Sequence, residues 1–202
     1  MKKCSSLLLA LLLIILCVPG AEALPPSSDF EATILFTHDL HSHFLPQSTE
    51  DGGESGGYAP LKTAIDRERA LHPNALLVDG GDFSIGSLIQ TLYTTQAAEL
   101  RTMGALGYDA ATLGNHEFDH TGAGLARMLN AAADSGDRLP ALVEANYAPA
   151  PDNPDRDVIL AAMDNYGVAE TLLFDRDGVT YGLFGLMGVD SHDCAPTSGF
   201  VL

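Results

Sequence analysis

The sequence predicts an α/β fold with a partly parallel sheet, and three observations carry that expectation. Short apolar runs alternate with longer segments of helical spacing along most of the 202 residues, the pattern of strand and helix in turn. Three of the runs end in polar loops. Ile34-Leu35-Phe36-Thr37 enters His38-Asp39-Leu40-His41, Ala75-Leu76-Leu77-Val78 enters Asp79-Gly80-Gly81-Asp82, and Ala110-Ala111-Thr112-Leu113 enters Gly114-Asn115-His116-Glu117-Phe118-Asp119. Finally, 46% of the residues are hydrophobic and only 18% charged, so a sizeable core is available and a disordered chain is excluded.

The elements follow in order. Met1-Lys2-Lys3 is a basic start, Leu7 to Val18 is an unbroken apolar run, and Pro19-Gly20 precedes the small-x-small pattern Ala21-Glu22-Ala23. This reads as an export signal over residues 1–23, too short and wrongly flanked for a spanning helix. A Pro/Ser linker over 24–31 leads to the first strand, Ala32 to Thr37. A loop rich in Gly, Ser and acids, Gln47 to Gly57, borders the mouth of the site. Tyr58 to Leu71 has helical spacing through Leu61, Ala64, Ile65 and Leu71, with Pro60 tolerated in the first turn. His72 before Pro73 marks the end of that helix. After the second strand, a helix from about Thr94 to Leu106 carries Ala97, Leu100, Met103 and Ala105 and stops at Gly107. The third strand is followed by a helix over about Gly122 to Ala133, presenting Leu125, Met128 and Leu129. Leu139 to Asn146 reads as a fourth strand and Val158 to Tyr166 as a weakly patterned helix. Leu172 to Phe174 and Thr180 to Val189 form two strands joined at Asp175-Arg176-Asp177-Gly178, and Asp190 to Leu202 carries no strong pattern.

The formal net charge is -17 with only 10 Lys plus Arg. So acidic a chain is unsuited to electrostatic binding of a nucleic acid polymer or an anionic membrane. It also suits a phosphate substrate only if bound cations reverse the local field. With the signal removed, Cys194 is the one remaining cysteine, so no disulfide stabilises the exported chain.

The three polar loops hold the chemistry. Asp39 and His41, two apart, can both reach one cation, and the pairing of carboxylate with imidazole suits Mn, Fe, Zn or Co better than Ca or Mg. Asp82 follows two glycines and can bridge two cations. Asn115 offers a neutral carbonyl ligand to the second. His116 can face a substrate, with Asp119 accepting a hydrogen bond that fixes its tautomer. Glu117 is expected to hold the backbone of its own loop. Each motif alone is equally an ordinary polar turn. Three of them at successive strand ends, where open α/β sheets place their sites, point to a two-metal phosphoesterase.

Asp39-x-His41, Gly81-Asp82 and Gly114-Asn115-His116-Glu117 together resemble the metallophosphoesterase (calcineurin-like) superfamily. Phe36 to Phe44, Gly57-Tyr58-Ala59 and Gly114 to Asp119 are similar to its secreted bacterial 5′-nucleotidase and UDP-sugar hydrolase branch. The resemblance implies a layered α/β/β/α sandwich and two divalent metal ions. Asp39 and His41 would hold the first ion, Asp82 would bridge, Asn115 would hold the second, and His116 with Asp119 would form the catalytic dyad. The implied reaction is hydrolysis of a nucleotide or other small phosphate ester by a metal-held water, in the periplasm or outside the cell. A UDP-sugar or 2′,3′-cyclic nucleotide hydrolase of the same fold, or a secreted metal-binding module without catalysis, remains open.

Departures from the family pattern qualify this. His38 stands where the family has Asn, and Pro60 replaces a frequent Arg. The family adds further histidines downstream, the last two in a Gly-His-x-His motif. The 7 histidines here are His38, His41, His43, His72, His116, His120 and His192, and none lies in such a motif. Residues 32–202 are therefore expected to be the N-terminal portion of the domain, without its nucleotide-binding domain. Such a site would be short of roughly three ligands, and the chain alone is expected to bind metal weakly and to have little or no activity.

Overall fold

A computed structural model describes residues 32–202; the expected export signal and linker fall outside the described residues. Strands β1 (Ile34–Thr37), β4 (Leu76–Asp79), β5 (Ala110–Thr112) and β6 (Ala141–Val143) form one parallel sheet in that order. The registers Phe36↔Val78, Val78↔Ala110 and Ala110↔Ala141 align all four carboxyl ends on one edge. Parallel neighbours require crossovers, and helices supply them. Between β1 and β4, α1 (Tyr58–Leu71) follows a small hairpin of β2 (Gln47–Ser48) and β3 (Glu54–Ser55). Between β5 and β6 lies α4 (Thr121–Ala133), whose Leu125, Met128 and Leu129 are buried as its spacing requires. The core lies on the helix side of the sheet, where Leu77, Ala111 and Leu142 meet Leu100, Met103, Tyr108 and Phe118. The mixed α/β class and the parallel sheet are those expected.

Several boundaries differ, each for a tertiary reason. In α1 only Tyr58 and Ile65 are buried, whereas Leu71 is 68% exposed. The single helix expected over Thr94 to Leu106 is two, α2 (Tyr93–Gln96) and α3 (Ala98–Leu106), separated by Ala97 at φ 46°. That left-handed residue is fully buried, with Tyr93 packed inside and its hydroxyl donating to the Glu117 carbonyl at 2.7 Å. Downstream, β7 (Ala148–Pro149) pairs with β10 (Phe200–Val201). The patternless tail thus contains a strand, anchored by the buried Phe200. Between these strands come α5 (Arg156–Tyr166), a hairpin of β8 (Thr171–Arg176) and β9 (Val179–Phe184), and α6 (Val189–Asp193). The strand expected to reach Val189 therefore stops at Phe184. The hairpin turn narrows to Asp177-Gly178, with φ 50° and 78°, the positive pair that a two-residue hairpin of matching twist demands. Among the described residues no helix is long and apolar enough to cross a membrane.

Glu144 follows β6 directly. It is 5% exposed, and both carboxylate oxygens are closed off from solvent. Burial pushes this carboxyl up to about 7 from an ordinary 4.5. Between those two values the folded chain holds a proton that the unfolded chain has released. Stability should therefore fall as pH rises through that window, by up to about 1.4 kcal/mol per pH unit. Glu144→Gln should flatten the decline, as read from urea midpoints across the range. An unchanged pH profile would contradict the assignment.

Candidate metal centre

Two loops meet beyond β1 and β4 and hold each other in place. Asp39, His41 and Ser42 donate backbone N–H bonds to the carbonyls of Gly81, Asp82 and Phe83, each at 3.0 Å. The ladder thus continues past the strands through irregular backbone. Asp39, His41, Ser42, Asp82 and Ile85 all have φ between 46° and 59°, a region that costs a non-glycine residue about 1–2 kcal/mol. Such strain persists only where surrounding bonds over-determine the chain, and it concentrates at functional sites.

The third loop docks onto the second. The Asp82 carboxylate accepts the His116 N–H at 2.9 Å. Glu117, fully buried, accepts from Asp82 N (2.9 Å), Gly114 N (2.7 Å), Ser84 N (3.0 Å) and the Ser84 hydroxyl (2.8 Å). Burial, with the neighbouring Asp82 charge, pushes its carboxyl up to about 7 against those four donors. Glu117 holds its own loop at Gly114, as expected, and beyond that expectation clasps the loop of Asp82 and Ser84.

Close approach here dictates glycine. A Cβ on Gly81, at φ 97°, would lie 2.5 Å from Gly114 N, and one on Gly114 would lie 2.3 Å from an Asp82 carboxylate oxygen. Gly114→Ala is expected to cost about 1–3 kcal/mol through overpacking and to weaken metal binding by displacing Asp82. Metal titration beside thermal melting checks this, and unchanged affinity would show that Asp82 takes no part.

One ligand atom from each of His41, Asp82 and His116 lies within 4.8 Å of the others. His41 is oriented for the purpose. Its Nδ1 is 2.8 Å from the Ile85 carbonyl and 3.3 Å from that of Ser84. The proton therefore sits on Nδ1 and leaves Nε2 as the ligand atom. Burial alone would lower the His41 imidazole, but those carbonyls and the Asp82 and Asp39 carboxylates hold it above its usual range. Asp39 stands beside the group of three rather than in it. One oxygen bonds His38 and the other is 3.3 Å from His41 Nε2; the His38 bond holds the Asp39 carboxyl below its ordinary value. His116 Nδ1 is 3.2 Å from Asp119. Asn115 precedes the short helical turn His116–Phe118. His43 and His120 lie apart, His43 lining a hollow beside Leu45 and His120 stacked on Tyr93.

Sequence reasoning did not single out the supports beneath this group. Glu99 of α3 is buried and accepts from the Ser42 hydroxyl at 2.7 Å, under the left-handed stretch that carries His41. Asp79, pushed up to about 6 by burial, accepts from the Thr37 hydroxyl and from Gly81 N at 2.9 Å. The Ile85 contact is a backbone carbonyl, for which no side-chain signal exists.

The donor set fits a transition metal. Imidazole and carboxylate oxygen suit Zn, Mn, Fe or Co, and the two imidazoles with one carboxylate already converge. Residues 32–142 match the family model described as calcineurin-like phosphoesterase. The 5′-nucleotidases of Bos taurus and Homo sapiens are each 42% identical over 118 residues, 54% of this chain and 20% of theirs. The chain thus spans about a fifth of the length of these relatives. Among solved structures, the 5′-nucleotidase precursor from Thermus thermophilus superposes with a TM-score of 0.65 at 28% identity, over 86% of this chain and 32% of that one.

Proposed function

The chain belongs to the calcineurin-like phosphoesterase family, and from that premise we propose that it carries the metal centre and acid dyad of a hydrolase acting on nucleotide phosphate esters. The observation that carries this reading is the convergence of His41, Asp82 and His116 at three parallel strand ends. The similarity to 5′-nucleotidases supports the substrate class, and the apolar, signal-like stretch over 1–23 supports a site of action outside the cytoplasm.

Each residue then has a task. His41, whose Nδ1–H donates to the Ile85 carbonyl, would hold a metal ion through the Nε2 that faces Asp39. Asp82, fixed by the His116 N–H, would hold divalent metal together with His41, Asp39 and Asn115. Bound divalent cations would polarise the phosphoryl oxygens and offset their charge. His116, with Nδ1 directed at Asp119, keeps Nε2 to donate a proton to the departing alkoxide. Asp119 holds that orientation and stabilises the imidazolium before transfer.

The test is metal content and phosphate release from AMP and from an aryl phosphate, with Mn or Zn supplied, for the full chain beside His116→Ala. Turnover should fall about 10²–10⁴-fold in the variant while metal stoichiometry persists. Loss of metal together with turnover would make His116 a ligand instead. Stoichiometric metal in the parent without phosphate release would replace the hydrolase reading with that of a metal-binding module.

A further inference from the structure

Every polar atom of Ser42, the residue after His41, is engaged. Its N–H donates to the Phe83 carbonyl at 3.0 Å, and its carbonyl accepts from Phe44 N at 2.9 Å and from the Ser87 hydroxyl. Its own hydroxyl donates to Glu99 at 2.7 Å. Ser42 is fully buried, with φ 51° directly after φ 46° at His41. Two successive left-handed residues, neither of them glycine, keep that shape only while the bonds around them hold.

Most of those bonds run between the two loops themselves. Phe83 and Ser87 follow Asp82 in its own loop, and so does Ile85, whose carbonyl receives His41 Nδ1–H at 2.8 Å. Bonds between two irregular loops register one against the other and leave the pair free to shift together. Glu99 comes from elsewhere. It lies in the first turn of α3, where the helix dipole favours a carboxylate, buried beside Leu100, which packs with Met103 in the core. Helix and core thus hold this carboxylate whether or not Ser42 meets it. We propose that Glu99 is a positioning residue for the metal centre. Through the Ser42 hydroxyl it ties the left-handed His41–Ser42 backbone to α3, and so keeps the His41 imidazole with Nδ1–H on Ile85 and Nε2 as the ligand atom. The proposal rests on the reading of His41 as a ligand. What acts is the acceptor oxygen of Glu99, not its charge.

The experiment is titration of the full chain with Co²⁺, followed by visible absorption, beside heteronuclear NMR of the His41 ring in the metal-free chain. Thermal melts set the temperature at which each variant is folded. Ser42→Ala and Glu99→Ala should each weaken Co²⁺ binding about tenfold, and the double variant should weaken it little further, because both act through one bond. In each, the His41 ring should lose its single Nδ1–H tautomer. Glu99→Gln, whose amide oxygen still accepts from Ser42, should stay within about threefold of the parent and keep the tautomer. Should Glu99→Ala not fold, Ser42→Ala and Glu99→Gln decide the matter. Parental affinity and tautomer in Ser42→Ala, or a loss in Glu99→Gln as large as in Ser42→Ala, overturns the proposal. Co²⁺ binding that His41→Ala leaves unchanged overturns instead the ligand reading of His41, and this proposal with it.

Discussion

Replacing Glu117 with alanine should destabilise the chain by about 3–5 kcal/mol, because it leaves the N–H groups of Asp82, Ser84 and Gly114 without their acceptor and opens a void. This is a large share of the ~5–15 kcal/mol that holds an ordinary domain together. Metal binding should also disappear, although Glu117 touches no metal, since the Asp82 and His116 loops lose the buried carboxylate that they share. Glu117→Gln should do less damage, about 1–3 kcal/mol, because one amide oxygen still accepts while the NH₂ group opposes a backbone donor. Urea midpoints and metal titration read both outcomes. A Glu117→Ala chain with parental stability and metal affinity would show that the loops are positioned by the strands alone.

The second large effect lies at the opposite end of the sheet. Asp109, whose side chain is 7% exposed, receives Arg176 at 2.7 Å, Arg69 at 3.2 Å and, more distantly, Arg138 at 3.6 Å, and it also accepts Leu77 N at 3.0 Å. Arg69 and Arg138 further donate to the carbonyls of Gly104, Gly107 and Tyr108 at the end of α3, where the helix dipole favours cations. One carboxylate thereby joins α1, α3, β4, β8 and the loop before β6. Asp109→Ala is expected to cost about 3–5 kcal/mol, the penalty of stranding partly buried charges. Below the melting temperature metal binding should persist, since the site sits at the other ends of the strands. Loss of metal affinity in a folded Asp109→Ala chain would reveal coupling along the sheet that the contacts do not suggest.

The sequence by itself determined a good deal of this molecule. The four strands of the sheet, the helices over Tyr58–Leu71 and about Gly122 to Ala133 and a hairpin turning within Asp175 to Gly178 follow from periodicity and turn chemistry, which act between near neighbours in the chain. The strand-end motifs contain His41, Asp82 and His116, which the fold brings together. Only the part of Glu117's role that closes back on its own loop at Gly114 was legible; its bonds to Asp82 and Ser84 were not. Other features have no local signal. The left-handed backbone at Asp39, His41, Ser42 and Asp82 depends on bonds to residues more than forty positions away. The break at Ala97 depends on Tyr93 reaching Glu117. Pairing of β7 with β10 rests on burial of Phe200. His41 is aimed by the Ile85 carbonyl, a backbone group that every residue carries. Residue types determine which groups are available to bind and react. Which of them meet, and in which rotamer and tautomer, is decided by hydrogen bonds and packing between segments that only the folded chain brings together.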